Sequence, residues 1–297
     1  METIRRKLFL LLGGILVVTL FAFASLWFRW DGKHKIAVGG KAGEGEILSE
    51  ILAQHIENTL GIPVKRKCRL DGTFILFQAL KDRQIDLYVE YTGTALTAIL
   101  GENVRGLSRV GVYEAVKEGL MKWDIQTLSP LGFESKYALM MDPIVADTYG
   151  IQTLSDLALK GSSLTVRFDP EFCAREEFQI LKNEYLVPLE NLKMMDHVLL
   201  YLALGRKSCD LIDGYSTDGF CKGLRLLEDD QERFPAYEAV PIARKEILEK
   251  IDGLEKALAM LSGKISSEAM QEMNYQVEKN GETAYTVAET FLKNIQR

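Results

Sequence analysis

The chain has 297 residues, with 36 Lys and Arg against 42 Asp and Glu, a net charge of −6, 47% apolar residues and 26% charged ones. These values describe a globular protein and exclude a disordered chain, a collagen-like repeat and a membrane protein of many spans. The negative sign leaves no case for a nucleic-acid partner, whose phosphates call for a basic surface.

The charge is uneven along the chain. Arg5-Arg6-Lys7 is a basic start, Leu8 to Phe28 is an almost unbroken apolar run, and Ala22-Phe23-Ala24 before Ser25 fits a small-x-small cleavage site. Residues 1–30 therefore read as an export leader, a signal peptide if cut and a membrane anchor if retained, with the acidic body outside the cytoplasm. Cys68, Cys173, Cys209 and Cys221 would then meet an oxidising compartment. Cys209 and Cys221 flank a short strand-turn segment, and their pairing stays open. No Cys-x-x-Cys is present, and His34, His55 and His197 are scattered, so neither a metal nor another cofactor is expected.

The body alternates strands and helices. Lys35-Ile36-Ala37-Val38 predicts a strand, and Ile47, Leu48, Ile51, Leu52 and Ile56 recur at helical spacing. A strand from Val64, a helix over Thr73–Lys81 and the strand Ile85–Val89 follow, giving a βαβαβ rhythm and a mainly parallel sheet. After the stretch 129–142 a second such unit begins. It has a strand over Leu164–Phe168, helices near 175–185 and 197–205, and a strand over Asp210–Asp213. From Arg244 the chain predicts three amphipathic helices near 244–261, 266–278 and 283–295, and no internal repeat is evident. The architecture is α/β in two lobes: 33–135 with 238–297, and 136–237. A ligand would sit between them at the carboxyl ends of the strands.

Gly39-Gly40-Lys41-Ala42-Gly43-Glu44-Gly45 joins a strand to a helix but lacks the phosphate-loop spacing, and two glutamates would repel a phosphate. It reads as a turn whose helix N-terminus carries acidic residues, with Lys41 and the free amides as donors for a small anion. There is no Gly-x-Ser-x-Gly elbow, no His-Glu-x-x-His and no histidine beside a nucleophile, so no enzyme is expected. Asp229-Asp230 reads as solvated loop charge. Four tyrosines stand at breaks between elements: Tyr91, Tyr137, Tyr215 and Tyr237. Several aromatic faces around one cavity hold a quaternary ammonium by cation–π attraction.

The stretches Asp86–Leu96, Asp169-Pro170-Glu171-Phe172, Tyr215-Ser216-Thr217-Asp218-Gly219, Leu227-Glu228-Asp229-Asp230 and Met270–Tyr275 resemble those of one family. It is the glycine betaine/choline (osmoprotectant, quaternary amine) substrate-binding proteins of ABC importers, and the likeness runs in order from about residue 35 to 295. The resemblance implies a two-lobed periplasmic-binding fold of type II that closes over its ligand, an exported monomer and a membrane permease as partner. It places an aromatic cage on Tyr91, Tyr137, Tyr215 and Tyr237, and a carboxylate contact on Arg175 and Thr94. Lys41 stands one position off the family's lysine. Ser135 stands where some members carry an acidic or amide side chain. The expected cation site is aromatic and nearly uncharged. Choline or carnitine as ligand, or a membrane-tethered osmolyte sensor on the same fold, are the alternatives.

Overall fold

The computed structural model describes residues 36–70, 72–104 and 106–295, and the predicted leader lies outside them. No helix among the described residues is long and apolar enough to cross a membrane. Strand β1 (Ile36–Gly39) is buried at every position and pairs in parallel with β2 (Val64–Lys67) and β3 (Leu87–Tyr91). The helices Glu44–Leu60 and Thr73–Lys81 make the connections. The first turns its apolar stripe (Ile47, Leu48, Ile51, Leu52, Ile56) into the core and ends at Gly61 in the left-handed conformation, where glycine meets no Cβ penalty. After β4 (Ile125–Thr127) the chain leaves for a second sheet, made of β5 (Tyr137–Met141), β6 (Val166–Phe168), β7 (Leu192–Met194), β8 (Leu211–Tyr215) and β9 (Arg225–Leu226). It then returns to lay β10 (Ala239–Arg244) between β3 and β4.

The strand orders are β2-β1-β3-β10-β4 and β7-β6-β8-β5-β9, so the two sheets share one plan. Each is covered on both faces by an apolar cluster. Every Leu or Ile fully buried there contributes roughly 1.5–3 kcal/mol over an exposed one. The two segments that pass between sheets run side by side: Ser135 donates its amide to the Tyr237 carbonyl at 3.1 Å, and Ala239 to Phe133 at 3.1 Å. These two adjacent segments, bridged at Glu134 and Glu238, connect the sheets. The C-terminal helix Ala284–Ile295 packs Val287, Ala288 and Leu292 into the first sheet's core.

The sheets are mixed, with one strand in each running against the other four: β10 is antiparallel to β3 and β4, and β5 to β8 and β9. The cause is the passage between lobes, because a strand entering from the other lobe arrives at the ligand end and runs back. Two expectations need correction. The helix expected over 244–261 is two, Lys245–Lys250 and Leu254–Ala259, separated at Gly253 with φ 81°.

A quasi-repeat is present after all. Thr73, Leu76, Asp86 and Tyr91 in one sheet correspond to His197, Leu200, Asp210 and Tyr215 in the other at constant spacing along the chain. The match extends to hydrogen bonds: Asp86 accepts from the Ala37 amide at 2.7 Å, and Asp210 from the Thr165 amide at 2.8 Å. All four cysteines are free thiols, with Cys209 and Cys221 in one apolar cluster.

Candidate ligand site between the lobes

A cavity of about 470 Å³ lies between the sheets, and every singled-out residue lines it: Lys41, Tyr91, Thr94, Ser135, Tyr137, Arg175, Tyr215 and Tyr237. Tyr91 and Tyr215 end the equivalent central strands β3 and β8. Tyr137 begins β5 directly opposite Tyr215 in the ladder. Opposed residues of an antiparallel pair share a face. The two rings accordingly lie 4.8 Å apart at 35°, with their hydroxyls 3.1 Å apart. Phe172, fully buried, backs Tyr137 at 5.0 Å.

Tyr237 comes from the returning segment and donates its hydroxyl to Glu177 at 2.8 Å. Burial raises all four phenols, Tyr215 to about 12, so each ring stays neutral.

The motifs have local reasons. Asp169 caps the short helix Pro170–Cys173 by accepting from the Glu171 amide at 2.7 Å, and that turn sends Glu171 to pair with Arg175. Asp229 is not merely solvated loop charge. It accepts the Tyr185 hydroxyl and the amides of Arg233 (3.0 Å) and Phe234 (2.7 Å), which fixes the loop leading to Tyr237. Gly93 allows the Tyr237 segment to lie against the helical turn Thr92–Thr94. A Cβ there would meet the Ala236 carbonyl and the Tyr237 ring at 2.7 Å each. Gly93→Ala is therefore expected to cost about 1–3 kcal/mol of stability and to displace Tyr237. Thermal melting and ligand titration check this; if neither changes, the close approach has no consequence.

The site is not nearly uncharged, since Glu44, Glu171, Asp218 and Glu278 also line it. Three cations are already matched. Lys41 Nζ sits 2.7 Å from the fully buried Glu90 and 3.1 Å from Thr73, so it is not a free anion donor. Arg175 pairs with Glu171, and His197 Nε2 lies 3.1 Å from Asp218. Burial alone would lower the His197 pKa, but Asp218 outweighs it and holds the imidazole above its usual 6.5.

Glu44 has no ion-pair partner among the described residues. It accepts from the Tyr91 hydroxyl and from Asn274 Nδ2, the latter at 2.7 Å. Burial is the main reason its carboxyl stands above the usual 4.5. Burial and the Asp218 charge push Glu278 up to about 7.

Glu44, His197, Thr217, Asp218, Asn274 and Glu278 went unassigned from sequence. The available signal was the repeat, which puts His197 at the position of Thr73. Asn274 also joins the lobes, donating to the Thr217 carbonyl at 2.7 Å, while Ser135 and Thr217 share a 2.7 Å hydroxyl contact.

Residues 35–294 match the substrate-binding domain of the ABC-type glycine betaine transport system. The chain belongs to this family. It is an extracytoplasmic substrate-binding protein of the ABC importer class, not an enzyme. It is similar to the carnitine transport binding protein OpuCC of Listeria monocytogenes, at 32% identity over 299 residues and 97% of each chain. It is 34% identical over 256 residues to the ergothioneine transport permease/ergothioneine binding protein EgtU of Helicobacter pylori, covering 84% of this chain and 45% of that longer one. A crystal structure of a glycine betaine/carnitine/choline ABC transporter protein superposes with a TM-score of 0.82 at 30% identity, covering 88% of this chain and 99% of that one. Family membership makes this cavity the candidate solute site.

Proposed function

We propose that this protein captures glycine betaine or a related quaternary ammonium solute and delivers it to a membrane permease. Tyr91, Tyr137, Tyr215 and Tyr237 hold the methylated head, and Arg175 with Thr94 takes the carboxylate. Ser135 closes against Thr217, and Lys41 steadies Glu90 behind the cage. The observation that carries this reading is the meeting of four neutral aromatic rings from both lobes beside Glu44, a carboxylate without a cation. A cation that cannot donate hydrogen bonds is held by ring faces and a nearby negative charge. Carnitine and choline fit the same chemistry.

The lobes are 33–135 with 238–297, and 136–237. Residues 8–28 deliver the body across the membrane. N-terminal sequencing of the protein from cells distinguishes a cut signal from an anchor. A relative named for both a permease and a binding protein in one chain supports the permease as partner.

The test is thermal melting with glycine betaine, choline, carnitine, proline betaine and ectoine. A bound ligand at 100 times its dissociation constant adds about 2.7 kcal/mol. Ectoine has no methylated ammonium and is expected to leave the melting unchanged. If none of the quaternary amines shifts it, the reading is wrong.

The pH dependence has a definite sign. A cation on the rings favours ionised Glu44, so its binding expels a proton whenever Glu44 is protonated. Affinity should therefore rise as pH climbs above 4.5 through the raised Glu44 value, and fall below it. Without ligand the same shift works against the fold. The folded carboxyl holds its proton more tightly than the unfolded one, so stability is lost as pH rises through that window. Glu44→Gln should flatten the affinity profile and lower affinity at neutral pH roughly fivefold, about 1 kcal/mol of screened attraction. Glu278→Gln serves as the control, since Glu278 titrates at about 7 on the same cavity. An unchanged profile in Glu44→Gln would assign the proton elsewhere.

A further inference from the structure

The helices Thr73–Lys81 and His197–Gly205 hold the same place in the two lobes, each carrying the chain from an edge strand to a central one. Their sequences, Thr-Phe-Ile-Leu-Phe-Gln-Ala-Leu-Lys and His-Val-Leu-Leu-Tyr-Leu-Ala-Leu-Gly, align without a gap and share Leu76/Leu200, Ala79/Ala203 and Leu80/Leu204, with large apolar residues at the second and third positions of both. The first residue of each lines the cavity. Leu76, Ala79 and Leu80 are buried, as are Leu200, Ala203 and Leu204. Between them, the second and third positions are large, apolar and open to solvent on both lobes. Phe74 and Ile75 are 68% and 60% exposed, and Val198 and Leu199 are 57% and 49% exposed. Leu202 and Met194 widen the second patch, and a groove walled by Leu70, Ile99 and Trp123 widens the first.

Contiguous exposed apolar surface on an otherwise charged protein marks an interaction site. Here it occurs twice, at corresponding positions, on either side of the cavity mouth. The inner faces of the two helices serve the fold, and their first residues serve the cavity; neither role requires the exposed pair. A partner seated on both patches touches both lobes at once, so its grip depends on how far they have closed. A second copy of this chain would instead cap the opening through which solute enters. We propose that Phe74-Ile75 and Val198-Leu199 are paired docking feet for the extracytoplasmic loops of the importer's membrane permease. The proposal rests on the reading of this chain as the binding protein of an importer, but not on which solute it carries.

The test compares wild type with F74Q/I75Q and V198Q/L199Q. Binding to the permease in lipid nanodiscs is measured directly, together with uptake of labelled glycine betaine by cells and glycine betaine affinity in solution. Each double variant is expected to bind the permease at least tenfold more weakly and to reduce uptake in proportion. Glycine betaine affinity should stay within twofold and the melting temperature should hold. If a double variant melts early, Ile75→Gln and Leu199→Gln alone carry the comparison. Undiminished permease binding overturns the proposal. So does a wild-type dimer that the variants dissolve, or attachment to permease-free vesicles that the variants lose. If glycine betaine, choline and carnitine all fail to bind wild type, the solute reading falls. The nanodisc comparison still decides the docking surface.

Discussion

Tyr215→Leu is expected to weaken glycine betaine binding by about thirtyfold, while Tyr215→Phe stays within about threefold of wild type. A ring face turned to a desolvated ammonium contributes about 2 kcal/mol, and each 1.4 kcal/mol is a factor of ten. Leucine supplies apolar bulk without the negative ring face, so it isolates that term. Phenylalanine keeps the face and removes the hydroxyl, which here only meets the Tyr137 hydroxyl at 3.1 Å. Tyr137, tilted against Tyr215 with ring centroids 4.8 Å apart, should behave alike. Tyr91 should not, because its hydroxyl holds Glu44; Tyr91→Phe removes that tie as well as leaving the ring. Isothermal titration of these variants checks the series. Equal losses for phenylalanine and leucine at position 215 would mean that the hydroxyl, not the face, meets the ligand.

Much of this site was legible because its parts are local. Tyr91 and Tyr215 follow apolar runs and precede helical turns, so their place at the carboxyl ends of strands follows from the sequence alone. What was hidden depends on the passage between lobes. Tyr-Ala-Leu-Met-Met in β5 contains no β-branched residue and favours a helix on propensity, yet every position is buried in the sheet, and packing overrides propensity. β10 carries Pro241, which argues against an interior strand. The structure accommodates it because the proline nitrogen lies on the same side as its carbonyl. That carbonyl accepts from Leu128, one residue past the end of β4, and the Leu128 carbonyl, which an amide at 241 would have met, accepts instead from the Tyr113 hydroxyl at 3.4 Å. The repeat was masked because its matching residues are few and separated by dissimilar ones. The carboxylates were misjudged for another reason: a glutamate at a helix N-terminus looks the same in sequence whether it faces solvent or, like Glu44, a ring of tyrosines.

Arg175 is expected to separate ligands that share a head group. Glycine betaine carries a carboxylate and choline a hydroxyl, so a residue that reads the carboxylate distinguishes them while the cage does not. Arg175 starts the helix Glu176–Asn183 at the cavity wall, and Glu171 holds its guanidinium. A planar guanidinium can take a second carboxylate without releasing the first, which suits it to a zwitterion entering beside Glu171. A hydrogen bond to a charged group contributes about 1.5–3 kcal/mol once water is excluded, so Arg175→Ala should weaken glycine betaine roughly ten- to hundredfold. Choline should lose little. The substitution also leaves Glu171 without its cation, making the cavity more negative, so choline affinity holds or improves. Arg175→Lys keeps the charge without the fork and should recover only part of the glycine betaine affinity. Titrating both ligands into the three proteins tests the assignment, and a loss shared equally by glycine betaine and choline would remove Arg175 from the carboxylate site.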